Sequence, residues 1–288
     1  MTPEAGIEAV LARLAHPYDA VKVASALLGL PARLARQLVG VAVATSEEAE
    51  QLLEAMPRIV RSMAIATTDR PQRCYGELRG PVLWSETMSA RSASAGDPGL
   101  YVCATTTKAY DTAENRVLKA ALAAIQAAGA DADAASLATL SVPRAEQARR
   151  ARHNGQRAAH LLEHRTLADV PVTRVTGRAL RRTRAGSRRG TYHPAVAMVL
   201  RAASPLRAAD LLDVTSAASE AQIRLFAGVL DELEHRHGAT QLRSSHGRLV
   251  GGPVAYDHLA GVTVGDAPVT SAGDIAAALE RAEAAPTA

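Results

Sequence analysis

Two stretches of this sequence place residue types at spacings that chemistry uses. In the first, His160-Leu161-Leu162-Glu163-His164 spells H-x-x-E-H, a metallopeptidase signature. On a continuous helix His160 and His164 stand one turn apart on one face, where two imidazoles can hold zinc. Glu163 is then the base acting on a zinc-bound water, and Glu232 or Glu234 is available as a third ligand. Arg157 and Arg165 flank the motif and repel a dication. A metal-free stretch is therefore the expectation, and a zinc peptidase the alternative.

The second stretch is TRVTGRALRRTRAGSRRGTYH. Arg174, Arg178, Arg181, Arg182, Arg184, Arg188 and Arg189 fall within sixteen residues with no acid among them. Such a run repels itself unless water or a polyanion surrounds it, and guanidinium groups bind phosphate bidentately. The preceding helical region adds Arg144, Arg149, Arg150, Arg152 and Arg157, while Tyr192 and His193 lie just beyond the run, where a base could stack. The whole chain carries only +4, from 33 basic and 29 acidic residues, so the run is a local asymmetry that points to nucleic acid. Nothing in it resembles a groove-reading helix with base-specific side chains, so sequence preference is expected to be weak.

Secondary structure must position these groups. Apolar residues recur at helical spacing in IEAVLARLA and AEQLLEAMPRIVRSMAIA, with Pro31 as a break, so residues 6–65 read as two or three helices. CYGELRGPVLWSETM mixes Gly76, Gly80 and Pro81 with short apolar runs, as strands and turns do, and residues 99–110 read as a strand. Asp111 can cap the next helix and Glu114 can bond back to close a capping box. That helix ends near Gly129, and GADADAASLATLS after it reads as a linker. Helices are expected over 143–170, 193–203 and 217–236, with the Arg-rich, Gly-containing segment between the first two. Short strand-like pieces and a last helix, DIAAALERAEA, close the chain. The prediction is a helix-dominated α+β fold: N-terminal helices, a small central strand region, a helical middle and a short degenerate α/β C-terminal segment. It divides the chain into three regions, 1–130, 131–190 and 191–288.

Composition narrows the class further. The chain has 288 residues, 48% apolar and 22% charged, which excludes wholesale disorder. With one Trp, one Phe and six Tyr, the core must be packed mainly by Leu, Val and Ala. Only Lys22, Lys108 and Lys119 are lysine. Cys74 and Cys103 lack the spacing of a zinc or redox site and read as buried thiols. The N-terminal stretch carries Glu4 and Glu8 and lacks a basic region followed by an apolar one, and no long apolar run exists, so a cytoplasmic protein with no membrane partner is expected.

GELRGPVLWSETMSAR, followed by a strand and then YDTAENRVLKAAL, resembles the McrC-like family, the nuclease partners of McrB-type motor NTPases in modification-dependent restriction and related phage defence. The family pattern G-x-(I/L/V)-x-G-x-(I/L/V)-x-W-x-x-T, and later T-x-E-N-R, falls on Gly76, Leu78, Gly80, Val82, Trp84, Thr87, Thr112, Glu114, Asn115 and Arg116. AAHLLEHRTLADV (158–170) and the helix beginning IRLFAGVLDELEHRHG are similar to further family segments, so the resemblance covers roughly 45–238. Read on their own, Trp84 is a packing anchor and Glu114 a cap residue, while Asn115 and Arg116 can hold an acidic partner or a loop carbonyl.

The resemblance implies a PD-(D/E)XK nuclease core, which needs acids for Mg²⁺ and a lysine for the attacking water. No Asp-x-Lys or Glu-x-Lys triplet occurs: the residues two before each lysine are Ala20, Thr106 and Val117. The 169 residues after Lys119 hold no lysine, and Asp257 and Asp266 are the only acids that read as remnants of the core. The expectation is a nuclease-deficient McrC-like accessory protein, not an enzyme and without cofactors. It would bind DNA through the seven arginines and dock to an AAA+ NTPase motor or a separate nuclease subunit through its N-terminal region. In that reading Trp84, Glu114, Asn115 and Arg116 are partner-binding or structural. A zinc peptidase and a purely structural adaptor are the alternatives.

Overall fold

A computed structural model describes residues 2–284. Helix accounts for 60% of the described residues and strand for 14%, so the fold is helix-dominated α+β. The chain opens with α1 (Pro3–Ala12), α2 (Ala20–Leu28), α3 (Ala32–Ala44) and α4 (Glu47–Arg61). Next come β1 (Ala66–Tyr75), α5 (Trp84–Ala93) and β2 (Leu100–Ala109). A helical run continues with α6 (Ala113–Ala130), α7 (Ala134–Ala138), α8 (Val142–Leu162), α9 (Arg165–Ala168), α10 (Gly177–Ala185), α11 (Arg189–Ala203), α12 (Ala208–Leu212) and α13 (Ala217–His237). The end is a meander, β3 (Arg243–Ser245), β4 (Arg248–Gly251), β5 (Val254–Asp257), β6 (Gly261–Val264) and β7 (Ala267–Val269), and then α14 (Ile275–Ala284).

The chain divides into two compact units, neither of them continuous in sequence. The first gathers Met1–Leu53, Ala124–Ala159 and Leu200–Ala288, the second Glu54–Ala123 and His160–Val199. This differs from the consecutive regions 1–130, 131–190 and 191–288, because α4, α6, α8 and α11 each contain a unit boundary.

In the first unit α13 is the spine. Its Phe226, Val229 and Leu230 are buried beside α1 and α2, and Phe226 stacks on Tyr256 of β5 with ring centroids 5.3 Å apart. Strands β3 to β7 pair antiparallel in sequence order. Helix starts obey side-chain chemistry: Thr2 Oγ1 accepts from Ala5 N (3.2 Å) ahead of Pro3, and Asp19 accepts from Val21 N and Lys22 N. Gly29 ends α2 at φ 65, and a Cβ there would come within 2.1 Å of the His258 ring, so only glycine fits. The expected linker after Gly129 is instead the packed helix α7. Leu137 and Ala132 are fully buried against Val41, Ala44 and Ala151, because the small residues of this segment let helices approach closely. Two buried arginines complete the unit. Arg201 donates to Asp210 Oδ2 (2.6 Å) and Ala42 O (3.1 Å), and Arg144 pairs with Asp213 and Asp210 O.

In the second unit β1 and β2 form a ten-residue antiparallel ribbon in which Ala66 faces Ala109 and Tyr75 faces Leu100. Cys74 and Cys103 are free and buried on it. Helix α5, in a stretch expected to be strand and turn, packs on β2 through Ala90, with Leu100 and Val102 beneath. Thr87 Oγ1 accepts from Val102 N (2.9 Å) and anchors that contact. Among the described residues no single helix is long and apolar enough to cross a membrane. Helices α2 and α3 qualify only together, and the chain bends by 115° between them.

Candidate nucleic-acid interface

The middle of the Arg-rich stretch forms a regular helix, α10, with Arg174 in the loop before it, Arg188 in the turn after it and Arg189 opening α11. Thr176 caps α10 by accepting from Ala179 N (3.2 Å), and Thr183, buried, donates to Ala179 O (2.9 Å). With Thr183 buried and Ala179 and Leu180 half-buried, the opposite face presents Arg178, Arg181 and Arg182, all exposed, at i, i+3 and i+4. At 1.5 Å rise per residue the outer two arginines stand about 6 Å apart along the axis. Like charges at this spacing destabilise an isolated helix by about 0.2–0.5 kcal/mol per pair. No acid relieves them: the side chains of Arg174, Arg178, Arg181, Arg182, Arg184 and Arg189 have no hydrogen-bond or ion-pair partner among the described residues.

A buried hub holds the start of α11 in place. Tyr192 is fully buried; its hydroxyl donates to Asn115 Oδ1 (2.5 Å) and accepts from Ala64 N (2.8 Å). Asn115 Nδ2 donates to Ala64 O (2.8 Å) and Tyr110 O (2.7 Å). Burial raises the Tyr192 hydroxyl above its ordinary value, which keeps it protonated as a donor. Lys119, also buried, donates to Leu167 O (2.7 Å) and Val170 O (2.5 Å) and ties α6 to the end of α9.

Several expected site residues take other roles. Arg188 is exposed but does not join the unpartnered set, because its Nη1 donates to Ser62 O (2.7 Å) and Met63 O (2.6 Å). Tyr192 cannot stack on a base, since it is enclosed in the hub. Of the arginines on α8, Arg144 is buried against Asp213, Arg149 meets Glu146, Arg150 meets Glu50, and Arg152 donates to Ala132 O. Intramolecular partners thus engage four of the five, while Arg157 is exposed with none among the described residues. The capping box also shifts. Thr112, not Asp111, accepts from Asn115 N (3.2 Å), and Asp111 instead grips Arg116 through two bonds of 2.6 and 2.7 Å. That ion pair lowers the Asp111 carboxyl below its ordinary value. Glu114 is thus not the residue that closes a box. Trp84 is 62% exposed and anchors nothing: it opens α5, with exposed Met88 one turn on. Gly80, at φ 140, lies so close to Ala104 O that a Cβ would reach 2.3 Å, so only glycine fits there.

The H-x-x-E-H segment does not form one helical face. Helix α8 ends at Leu162, and His164 caps α9 with its ring against Thr166 Oγ1 (2.8 Å). His160 and Glu163 lie in solvent at 85% and 79% side-chain exposure. Glu234 is held by Arg13 and Glu232 by Arg236. Asp257 accepts from Leu259 N, Ala260 N and Arg248, so the expected nuclease remnant is a turn-forming residue.

Charge is segregated between the units. The second holds 17 basic and 9 acidic residues, a formal +8, and the first 16 and 20, a formal −4. Within the second unit a hollow of about 440 Å³ lies against the basic stretch, lined by Arg184, Arg189, Gly190, His193, Pro194 and Val196. A second, of about 260 Å³, shares Gly190 and Pro194 with it and adds Arg58, Ser62 and Thr191. Arg58 stands exposed in the last turn of amphipathic α4, far in sequence from the Arg-rich stretch, so spacing alone does not join it to the others. No family model, curated protein or solved structure matches the chain.

Proposed function

We propose that this chain is a nuclease-deficient, McrC-like accessory protein that binds DNA through the arginine face of α10. The observation that carries the binding reading is the set of exposed arginines without an intramolecular acceptor, gathered on the unit that carries +8. A fold retains uncompensated like charges at helical spacing at a cost to its own stability, and a polyanion removes that cost. The McrC-like assignment and the docking to an AAA+ NTPase or separate nuclease rest on the Gly-Trp-Thr and Glu-Asn-Arg segments. The exposure of Trp84 and Met88 suits a docking role better than a packing one. The missing acid-x-lysine triplet supports a non-cleaving role.

The test is a salt titration of DNA binding. Log affinity should fall linearly with log salt, and Arg178→Ala/Arg181→Ala/Arg182→Ala should flatten the duplex slope by up to about 2.7, at about 0.9 per phosphate contact. With Mg²⁺ the bound DNA should stay intact. Failure to bind DNA or RNA even at low salt would leave the adaptor reading in possession.

A further inference from the structure

We infer that the hollow beside α10 receives an unpaired nucleotide, so that single-stranded nucleic acid, rather than blunt duplex, is the preferred ligand of the basic face. The inference rests on the nucleic-acid reading above and adds to it the form of the strand.

The two hollows share an arginine-bearing edge but differ in lining, the larger being mainly apolar and the smaller mainly polar. The larger sets Arg184 and Arg189 around an apolar wall of Pro194 and Val196, with His193 at its side. The smaller sets Arg58 against Ile59 and Ala55. Neither Arg184, Arg189 nor Arg58 has a side-chain partner among the described residues. A concave apolar wall with guanidinium groups beside it suits a flat, weakly polar ring bearing an adjacent phosphate. A duplex cannot supply that ring, because its bases are stacked inside and its surface offers the hollow only phosphate and sugar. A single strand supplies both, base face to wall and imidazole, phosphate to arginine. The second hollow shares Gly190 and Pro194 with the first and, with Arg58, Ser62 and Thr191, offers a polar continuation for the strand's backbone rather than a second base site.

Gly190 offers a test that leaves the charge unchanged. It is exposed, and a Cβ built on it meets nothing within 4 Å, so a larger residue can be added at the rim without disturbing the core. Affinity for a fluorescent single-stranded oligonucleotide and for a blunt duplex of the same sequence would be compared by anisotropy at fixed salt. The native chain should favour the single strand by about tenfold, the worth of one stacked base. Gly190→Leu should erase that preference while leaving duplex affinity and salt slope within about twofold. His193→Ala, checked by circular dichroism for native helix content, should reduce the preference in the same direction. Equal affinity of the native chain for both forms overturns the inference and leaves the binding reading standing, as does a Gly190→Leu variant that weakens both forms alike. Absence of binding to either form at low salt overturns both.

Discussion

Replacing Tyr192 with Phe deletes one oxygen and leaves two buried groups without partners. The Ala64 N–H loses its acceptor and Asn115 Oδ1 its donor, in a site where Tyr192 and Asn115 have no solvent exposure. A buried polar group left unpaired costs about 1–3 kcal/mol, and the ring itself is conserved, so no cavity term adds to it. The expected loss is about 2–4 kcal/mol, or a fall in Tm of about 5–12 °C for a chain of this size. Urea and thermal unfolding monitored by circular dichroism would measure it. Asn115→Ala adds an internal check. Its loss and that of Tyr192→Phe should not be additive, with a coupling of about 1 kcal/mol or more in the double mutant, because both substitutions break the same bond. Unfolding of Tyr192→Phe within about 0.5 kcal/mol of the native chain would refute the hub, and additive losses would show that the two side chains act separately.

Three other perturbations probe the rest of the molecule. Asp210→Ala removes the carboxylate from Arg201, whose side chain is 1% exposed, and should cost about 3–5 kcal/mol in chemical denaturation because the guanidinium stays buried without its counter-charge. Glu234 is held below its ordinary value of 4.5, first by its bond to Arg13 and against its own desolvation. A carboxyl depressed in the folded state contributes stability that is present above that ordinary value and is lost as pH falls through the folded one. Stability should therefore decline on acidification below about pH 4.5 less steeply in Arg13→Ala than in the native chain, as a urea series at stepped pH would show. Trp84→Ala should change the unfolding free energy by less than about 0.5 kcal/mol, and the native fluorescence should be red-shifted and readily quenched by iodide.

What was legible in the sequence was whatever periodicity writes. The β-branched run of β2, the apolar stripe of α13 and the terminal helix stand close to where spacing places them. Helix α10 was not legible, because its buried face contains only Ala179, Leu180 and Thr183, too little to give an apolar period amid four arginines. Helix α5 was hidden by the Gly-Pro-rich segment before it, which marks a turn but leaves the next element unspecified. Capping shows a subtler limit. Asp111 and Thr112 are both good caps, and the choice fell to Thr112 because Arg116 engages Asp111 through a contact five residues away. Arg188 and Arg189 are adjacent and identical, yet one bonds to main-chain carbonyls and the other faces solvent. Only the turn between α10 and α11 decides which does which.

Charge is where the fold changes the reading most. Taken over the chain, +4 is a weak electrostatic signal, and a consecutive division would spread it further. The interleaved units instead separate +8 from −4, because acids cluster in segments such as α13 and α14 of the first unit while the Arg-rich stretch belongs to the second. Interactions between exposed charges are screened beyond about 10 Å at 0.1 M salt. For the proposed polyanion the relevant quantity is then the charge beside the arginines and not the average over the chain. Arginines that have intramolecular partners, such as Arg144 or Arg201, add to the formal count without offering a free donor. The donors that remain free beside the hollows are Arg184 of α10, Arg189 at the start of α11 and Arg58. Affinity should accordingly track those side chains, and net charge, the quantity most easily read from the sequence, should be a poor guide to it.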